Sequence, residues 1–332
     1  MTEHYRRLVL SARPHGMVDD TVVTVETAPI PEPGPGEALV AVRYLSIDPT
    51  IRTWMNDVPG YLPPIGLGEV VRSGAVGEVV ASNSDHYKVG DVVTGLIGWQ
   101  EYAVISGGVN VLPAGVDPLV AMSVLGATGM TAYFGMTDVG KVGDGDVVVV
   151  SGAAGATGSV AGQVAQRKGA AKVIGLAGDA VKCAWLTDEL GFDAAINYKT
   201  EHVARRLAEE CPDGIDLYFD NIGGEILDIC LGQLAMKGRV VLCGAISGYN
   251  DEGRPVGPSN IFNLIIKRGR MEGFLILDYF DRFPAAQAEM ARWVAEGHMQ
   301  HKVHLVQGIE AATGALNLLF TGGNTGKVIV EL

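Results

Sequence analysis

Four consecutive valines, Val147 to Val150, run into Ser151-Gly-Ala-Ala-Gly-Ala-Thr-Gly158, and this junction constrains the chain more than any other stretch. A valine run without alternation suits a strand buried on both faces of a parallel sheet. From Ser159 the pattern turns helical, with Val160, Val164 and Ala165 on one face. Strand, glycine turn and helix in that order aim free N–H groups and the positive end of a helix dipole at one point, the usual seat of a pyrophosphate. The pattern is A-x-G-x-x-G, with Ala153 at the usual first glycine and Gly152 upstream to relieve the turn. Alone, it is equally an ordinary glycine turn in a chain with 45 glycines.

The next strand, Lys172-Val-Ile-Gly-Leu-Ala-Gly178, narrows the choice. It ends without the carboxylate that reads the adenine ribose of NAD, and Lys182 follows, a cation suited to a ribose 2'-phosphate; NADP(H) is therefore favoured. Asp179 is the opposing signal. It is either a ribose reader or the N-cap of a helix from Ala180, and the cap is preferred because a short side-chain oxygen there satisfies free N–H groups.

A chain of 332 residues exceeds the size at which single cores stop growing, so two domains are expected. Its net charge of −13 repels nucleic acid and anionic membrane surfaces. No apolar run reaches the length of a membrane span and the first residues do not read as a signal peptide, so the expected location is cytoplasmic. Cys183, Cys211, Cys230 and Cys243 show no CxxC spacing and read as reduced thiols.

Up to about Val120 the chain reads as short strands broken by proline and glycine: 21–25, 37–43, 77–81, 91–94 and 100–105. Beyond it, strand-like runs at 172–176, 194–197, 216–220, 239–245 and 272–277 alternate with helical patterns, which argues for an α/β doubly wound parallel sheet. A last strand-like run, Lys327 to Val330, is positioned to return to the first domain.

Tyr44-Leu-Ser-Ile-Asp-Pro49, Gly126-Ala-Thr-Gly-Met-Thr-Ala-Tyr-Phe-Gly135, the 153–163 turn, Gly191 to Lys199, Tyr218-Phe-Asp-Asn-Ile-Gly-Gly224, Cys243-Gly-Ala-Ile-Ser-Gly-Tyr-Asn250 and Gly323-Asn-Thr-Gly-Lys327 span nearly the whole chain. Together they resemble the zinc-free medium-chain reductases, in the NADP-dependent double-bond reductase group that includes prostaglandin, alkenal and curcumin reductases. The resemblance implies a GroES-like β-rich domain from residues 1–122 and 292–332 around a Rossmann domain at 123–291. It also implies NADPH-dependent reduction of the C=C bond of enones, with a zinc-free quinone reductase or a non-catalytic NADP-binding protein as alternatives, and a homodimer.

Metal ligation is not expected: Gly68-Glu69-Val70 stands where the zinc-dependent cousins have Gly-His-Glu, Ser46 sits near their cysteine, and no cysteine precedes Cys183. His298, His301 and His304 are spaced to alternate faces rather than converge.

The resemblance places Thr157, Gly158 and Ser159 at the pyrophosphate and Lys182 and Tyr198 at the 2'-phosphate, with Ala156 and Gly178 also at the cofactor. It brings Thr131, Asn221, Cys243, Gly244, Ala245, Ile246, Ser247, Phe274, Leu275 and Ile276 to the cofactor, with Asn324 on its nicotinamide side. Asn221 and Asn324 also read as turn asparagines. Tyr249 is the candidate catalytic residue, because a phenol can hydrogen-bond an enolate oxygen. Tyr61 and Tyr279 are candidate pocket walls. Thr50 departs from the family, whose members often carry an aromatic there.

Overall fold

The computed structural model describes residues 3–253 and 256–332. Strands β1 (His4–Leu10) and β2 (Val23–Pro29) form an antiparallel pair. A larger sheet is built on β3 (Ala38–Ile47), β4 (Gly74–Ser82), β5 (Val92–Leu96), β6 (Tyr102–Ile105) and β7 (Val109–Val111). The parallel sheet comprises β8 (Val147–Val150), β9 (Lys172–Ala177), β10 (Ala194–Asn197), β11 (Ile215–Asp220), β12 (Leu234–Leu242) and β13 (Arg270–Gly273). The chain ends with β14 (Val303–Gln307) and β15 (Lys327–Glu331). β15 returns to pair antiparallel with β3, setting Val328 opposite Ile47. The sequence-expected return of the C-terminal strand is thus observed.

The parallel sheet runs β10-β9-β8-β11-β12-β13. Its core explains the valine run. Val148 and Val150 pack on one face with Leu217 and Phe219, while Val149 packs on the other with Ile174 and Tyr218. All of these are at most 1% exposed, so no polar alternation is tolerated. A separate core fills the first half and draws Ile309, Leu316 and Val330 from the chain's end. Trp293 and Met299 pack instead with the parallel-sheet half.

Several predicted boundaries move. The helix expected from Ser159 starts at Ala156, with Gly155 as its extended N-cap. The strand expected over 272–277 ends at Gly273, and a 3-10 turn occupies Ile276–Arg282. β1 had no sequence counterpart: its arginines interrupt the apolar pattern, and one of them, Arg7, pairs with Glu26 on β2 at 2.9 Å.

Candidate cofactor and substrate cleft

The order of the parallel strands reverses direction between β8 and β11, which opens a crevice at their carboxyl ends. Gly152 lines it with φ +56°, the left-handed turn that lets Ala153 sit fully buried and donate its N–H to Leu176 O at 3.0 Å. A Cβ on Gly158 would lie 2.4 Å from Gly152 O, so the turn closes only because that side chain is missing. The helix Ala156–Arg167 then starts with its N–H groups facing the crevice mouth. Gly326 N donates to Ala154 O at 2.7 Å, which fastens the glycine turn to the C-terminal segment that enters β15.

The predicted cofactor residues gather along one edge of the sheet. Gly178 follows β9, Tyr198 follows β10, Asn221 follows β11, Cys243 to Ser247 follow β12, and Phe274 to Ile276 follow β13. Asn221 Nδ2 donates to Ser151 O at 2.7 Å, and Ser247 Oγ donates to Ile222 O at 2.6 Å, so both loops are tied to the crevice floor. Thr131 Oγ1 is spent on Ala127 O within its own helix, and Asn324 Nδ2 donates to Gly326 O, the turn contact its sequence also allowed.

Beneath Asn221 lies Asp220, fully buried. Its Oδ1 accepts from Tyr218 OH, Ser151 Oγ and the N–H groups of Ile222 and Gly223 at 2.7–3.2 Å, while its Oδ2 has no hydrogen-bond partner. Desolvation raises its pKa in spite of those bonds.

At the crevice's outer end Lys182 is buried, with Nζ donating to Gly322 O at 2.6 Å and lying 3.6 Å from Asp179 Oδ2. Burial pulls its pKa down, partly opposed by Asp179. Asp179 is the helix N-cap, its Oδ1 accepting from Lys182 N at 2.8 Å. A Cβ built on Gly322 would meet Tyr198 OH, Lys182 Nζ and Lys199 Nζ within 3.8–3.9 Å. A Cβ on Gly178 would meet Tyr198 OH at 2.7 Å and Lys199 Cε at 3.3 Å. Two ammonium groups and a phenol therefore surround one small space kept open by glycines. That donor set fits a phosphate dianion. Lys199 was not foreseen; its only sequence signal is adjacency to Tyr198.

The neighbouring cavity, ≈ 650 Å³ and open to solvent, is lined by Leu176, Ile222, Ile226 and Ile246 from the parallel-sheet half, and by Leu319 and Phe320 from the C-terminal helix. Such apolar walls suit a flat heteroaromatic ring.

Tyr249 caps the short 3-10 turn Ile246–Gly248, its OH accepting from Ala245 N at 3.2 Å. Desolvation raises its pKa, and the nearby Tyr61 adds to the rise. Tyr61 OH is hydrogen-bonded to Thr50 Oγ1, and its ring meets Trp54 edge-on at 6.2 Å. A second cavity of ≈ 500 Å³ opens beside it, between Trp54 and Pro64. Tyr61 thus lies near enough to Tyr249 to bear on its titration. Tyr279 stacks on Phe134 at 4.7 Å and meets Phe274 edge-on at 6.2 Å. This packing holds one side of the Tyr279 ring and leaves the residue half-buried beside Phe274.

Among the described residues no group of three or more His, Cys, Asp or Glu side chains is placed to hold a metal ion. His301 Nδ1 is engaged by Ser123 Oγ at 3.4 Å and His298 by Glu296 at 3.2 Å. No helix among the described residues is long and apolar enough to cross a membrane.

Residues 6–111 match a family model described as the N-terminal domain of oxidoreductase, and residues 156–292 match one described as zinc-binding dehydrogenase. The chain is 38% identical to the NADPH-dependent curcumin reductase of Escherichia coli, covering 98% of this chain and 96% of that protein. It is 38% identical to the NADP(+)-dependent 2-alkenal reductase of Nicotiana tabacum, covering 91% and 88%. The crystal structure of CurA in complex with NADPH from Vibrio vulnificus superposes with a TM-score of 0.94 at 40% identity, covering 98% of each chain. With this likeness running through both sheets and the cleft between them, the chain belongs to the medium-chain reductases, in the group of NADP-dependent double-bond reductases.

Proposed function

We propose that the protein uses NADPH to reduce the C=C bond of α,β-unsaturated ketones and aldehydes. The observation that carries this reading is the meeting of Lys182, Tyr198 and Lys199 around Gly322, at one end of a cleft that bears the Tyr249 phenol. Lys182, Lys199 and Tyr198 would hold the 2'-phosphate. The free N–H groups of the helix starting at Ala156 would receive the pyrophosphate. When bound, NADPH supplies a hydride from its nicotinamide ring.

The chain's own part is positioning and charge stabilisation. An ordinary phenol is protonated across the neutral range and burial only pushes the Tyr249 pKa further up, so it remains a donor to the substrate carbonyl oxygen. As negative charge develops there, that hydrogen bond strengthens, and a donor already in place costs no reorganisation. Tyr61, held by Thr50, bounds the same space.

The reading includes a GroES-like domain at 1–122 and 292–332, a Rossmann domain at 123–291, a cytoplasmic location and a homodimer. Supporting the dimer, β13 is an edge strand, and Phe262, Ile265, Ile266 and Val256, in the segment leading to it, are 63%, 70%, 52% and 94% exposed. An uncovered edge beside apolar side chains is a natural site for a second copy.

Steady-state turnover of benzalacetone or a simple alkenal, with NADPH and NADH side by side, tests the activity. The expected product is the saturated carbonyl compound, with NADPH preferred. An allylic alcohol product, or turnover of quinones alone, overturns it.

A further inference from the structure

Arg52 lies in the short helix Thr50–Trp54 and is only 3% exposed. A guanidinium brings five N–H donors and a charge it cannot shed, so burial obliges it to find partners. Each partner here is neutral. Nε donates to Gly16 O and to Asn250 Oδ1, both at 3.0 Å; Nη1 donates to Asn56 Oδ1 at 2.6 Å and Nη2 to Pro14 O at 3.4 Å. Desolvation lowers its pKa, and the more distant Glu252 only tempers that. A buried charge without an ion partner is a poor way to gain stability, since an apolar side chain of similar volume would pack there at lower cost.

What the guanidinium does impose is register between the two halves. Arg52 and Thr50 share one helix, and Thr50 holds Tyr61. Asn250 directly follows Tyr249 in the loop after β12. One side chain therefore fastens the segment carrying Tyr61 to the loop carrying Tyr249. The seam continues on both sides, with Asn250 Nδ2 3.3 Å from Met17 Sδ and His15 Nδ1 3.3 Å from Glu252 Oε1.

We propose that Arg52 is a positioning residue for the reduction: through Asn250 it docks the Tyr249 loop on the substrate half, so that both phenols face one substrate. The inference deepens the reading above and rests on its placement of Tyr249.

The test compares Arg52→Lys, Arg52→Met, Asn250→Leu and Asn250→Asp at saturating NADPH. Asn250 is only half-buried, so Asn250→Leu removes the cross-half bond without emptying the core. The expected loss in kcat for Asn250→Leu is about 10²-fold, the scale of a displacement of about 1 Å at a reacting group. The Kd for NADPH should stay within about twofold, because the 2'-phosphate and pyrophosphate contacts lie elsewhere. Asn250→Asp keeps the acceptor and should retain most of kcat. The double variant Arg52→Met with Asn250→Leu should lose no more than the worse single. Wild-type kcat in Asn250→Leu, or an equal fall in Asn250→Asp, overturns the proposal.

Hydrogen exchange supplies a readout independent of turnover. Asn250→Leu and Arg52→Met should each lose amide protection across 248–253 while the parallel sheet keeps it; unchanged protection there overturns the docking role. Failure of the wild type to turn over any enone would refute the functional reading instead, and the exchange experiment would still decide the docking.

Discussion

Replacing Lys182 by alanine separates a cofactor contact from a structural one. In the protein Lys182 Nζ donates to Gly322 O at 2.6 Å, with Asp179 Oδ2 at 3.6 Å. A net hydrogen bond to a charged group contributes about 1.5–3 kcal/mol, so loss of the one Lys182 makes to a 2'-phosphate should weaken NADPH binding about 10- to 150-fold. Asp179, relieved of its neighbouring cation, repels the phosphate and pushes the effect toward the upper end. NADH has no 2'-phosphate, and its Kd should move by less than about threefold. The structural cost is small: Gly322 is only half-buried, its carbonyl can recover water, and the melting temperature should fall by less than about 4 °C. Titration of nicotinamide fluorescence against both dinucleotides, at low and high salt, gives all of these quantities. Wild-type NADPH binding should also be the more salt-sensitive, since two cations share one anion. Equal weakening of NADPH and NADH would refute the reasoning, as would no change in either, because Lys182 would then be only a cap for the Gly322 carbonyl.

Tyr249→Phe removes the donor while keeping the ring, and kcat should fall about 10²- to 10³-fold with NADPH affinity unchanged; a variant as active as wild type would remove Tyr249 from the chemistry. Gly178→Ala places a Cβ 2.7 Å from Tyr198 OH and 3.3 Å from Lys199 Cε, so both must swing away. NADPH should bind at least about tenfold more weakly while the fold survives, because these are the far ends of movable side chains; unaltered NADPH affinity would show that the space around Gly178 is not the phosphate site. Asp220 has a folded pKa raised above its ordinary 3.8 by desolvation, so folding favours its neutral form relative to the unfolded chain. The stability it contributes is complete below its unfolded pKa and is lost as pH rises through the folded value. Asp220→Asn cannot ionise, so the melting temperature of wild type relative to this variant should decline as pH rises from about 4, and a pH-independent difference would contradict the sign.

Legibility in the sequence followed the range of the interaction concerned. The valine run announced a strand buried on both faces because each residue reports its own environment, and Val148, Val149 and Val150 fill the two cores as their pattern required. Asp179 and Lys182 were readable for the same reason, since cap and capped N–H are three residues apart. Lys199 was not, because its meaning depends on Gly322, more than a hundred positions away, folding back over β9. Tyr279 is a similar case. An aromatic residue after a sheet strand suits a pocket wall as well as a core, and its stacking on Phe134, more than a hundred positions away, is a contact no local pattern records.

Arg52 lies furthest beyond the reach of local pattern. Arginine is among the residue types least often buried, so in a five-residue helix it reads as solvated. Apart from Asn56, four positions on, its partners stand 36, 38 and 198 positions away, two of them backbone carbonyls that any sequence would supply. Propensity and periodicity contain no record of such contacts. A charge that neither neighbours nor pattern explain, buried where two halves meet, is therefore more informative about the working arrangement of the cleft than the glycine turn that announces the fold. Many chains can build that turn, whereas only a particular approach of the two halves brings Asn250 within 3.0 Å of Arg52.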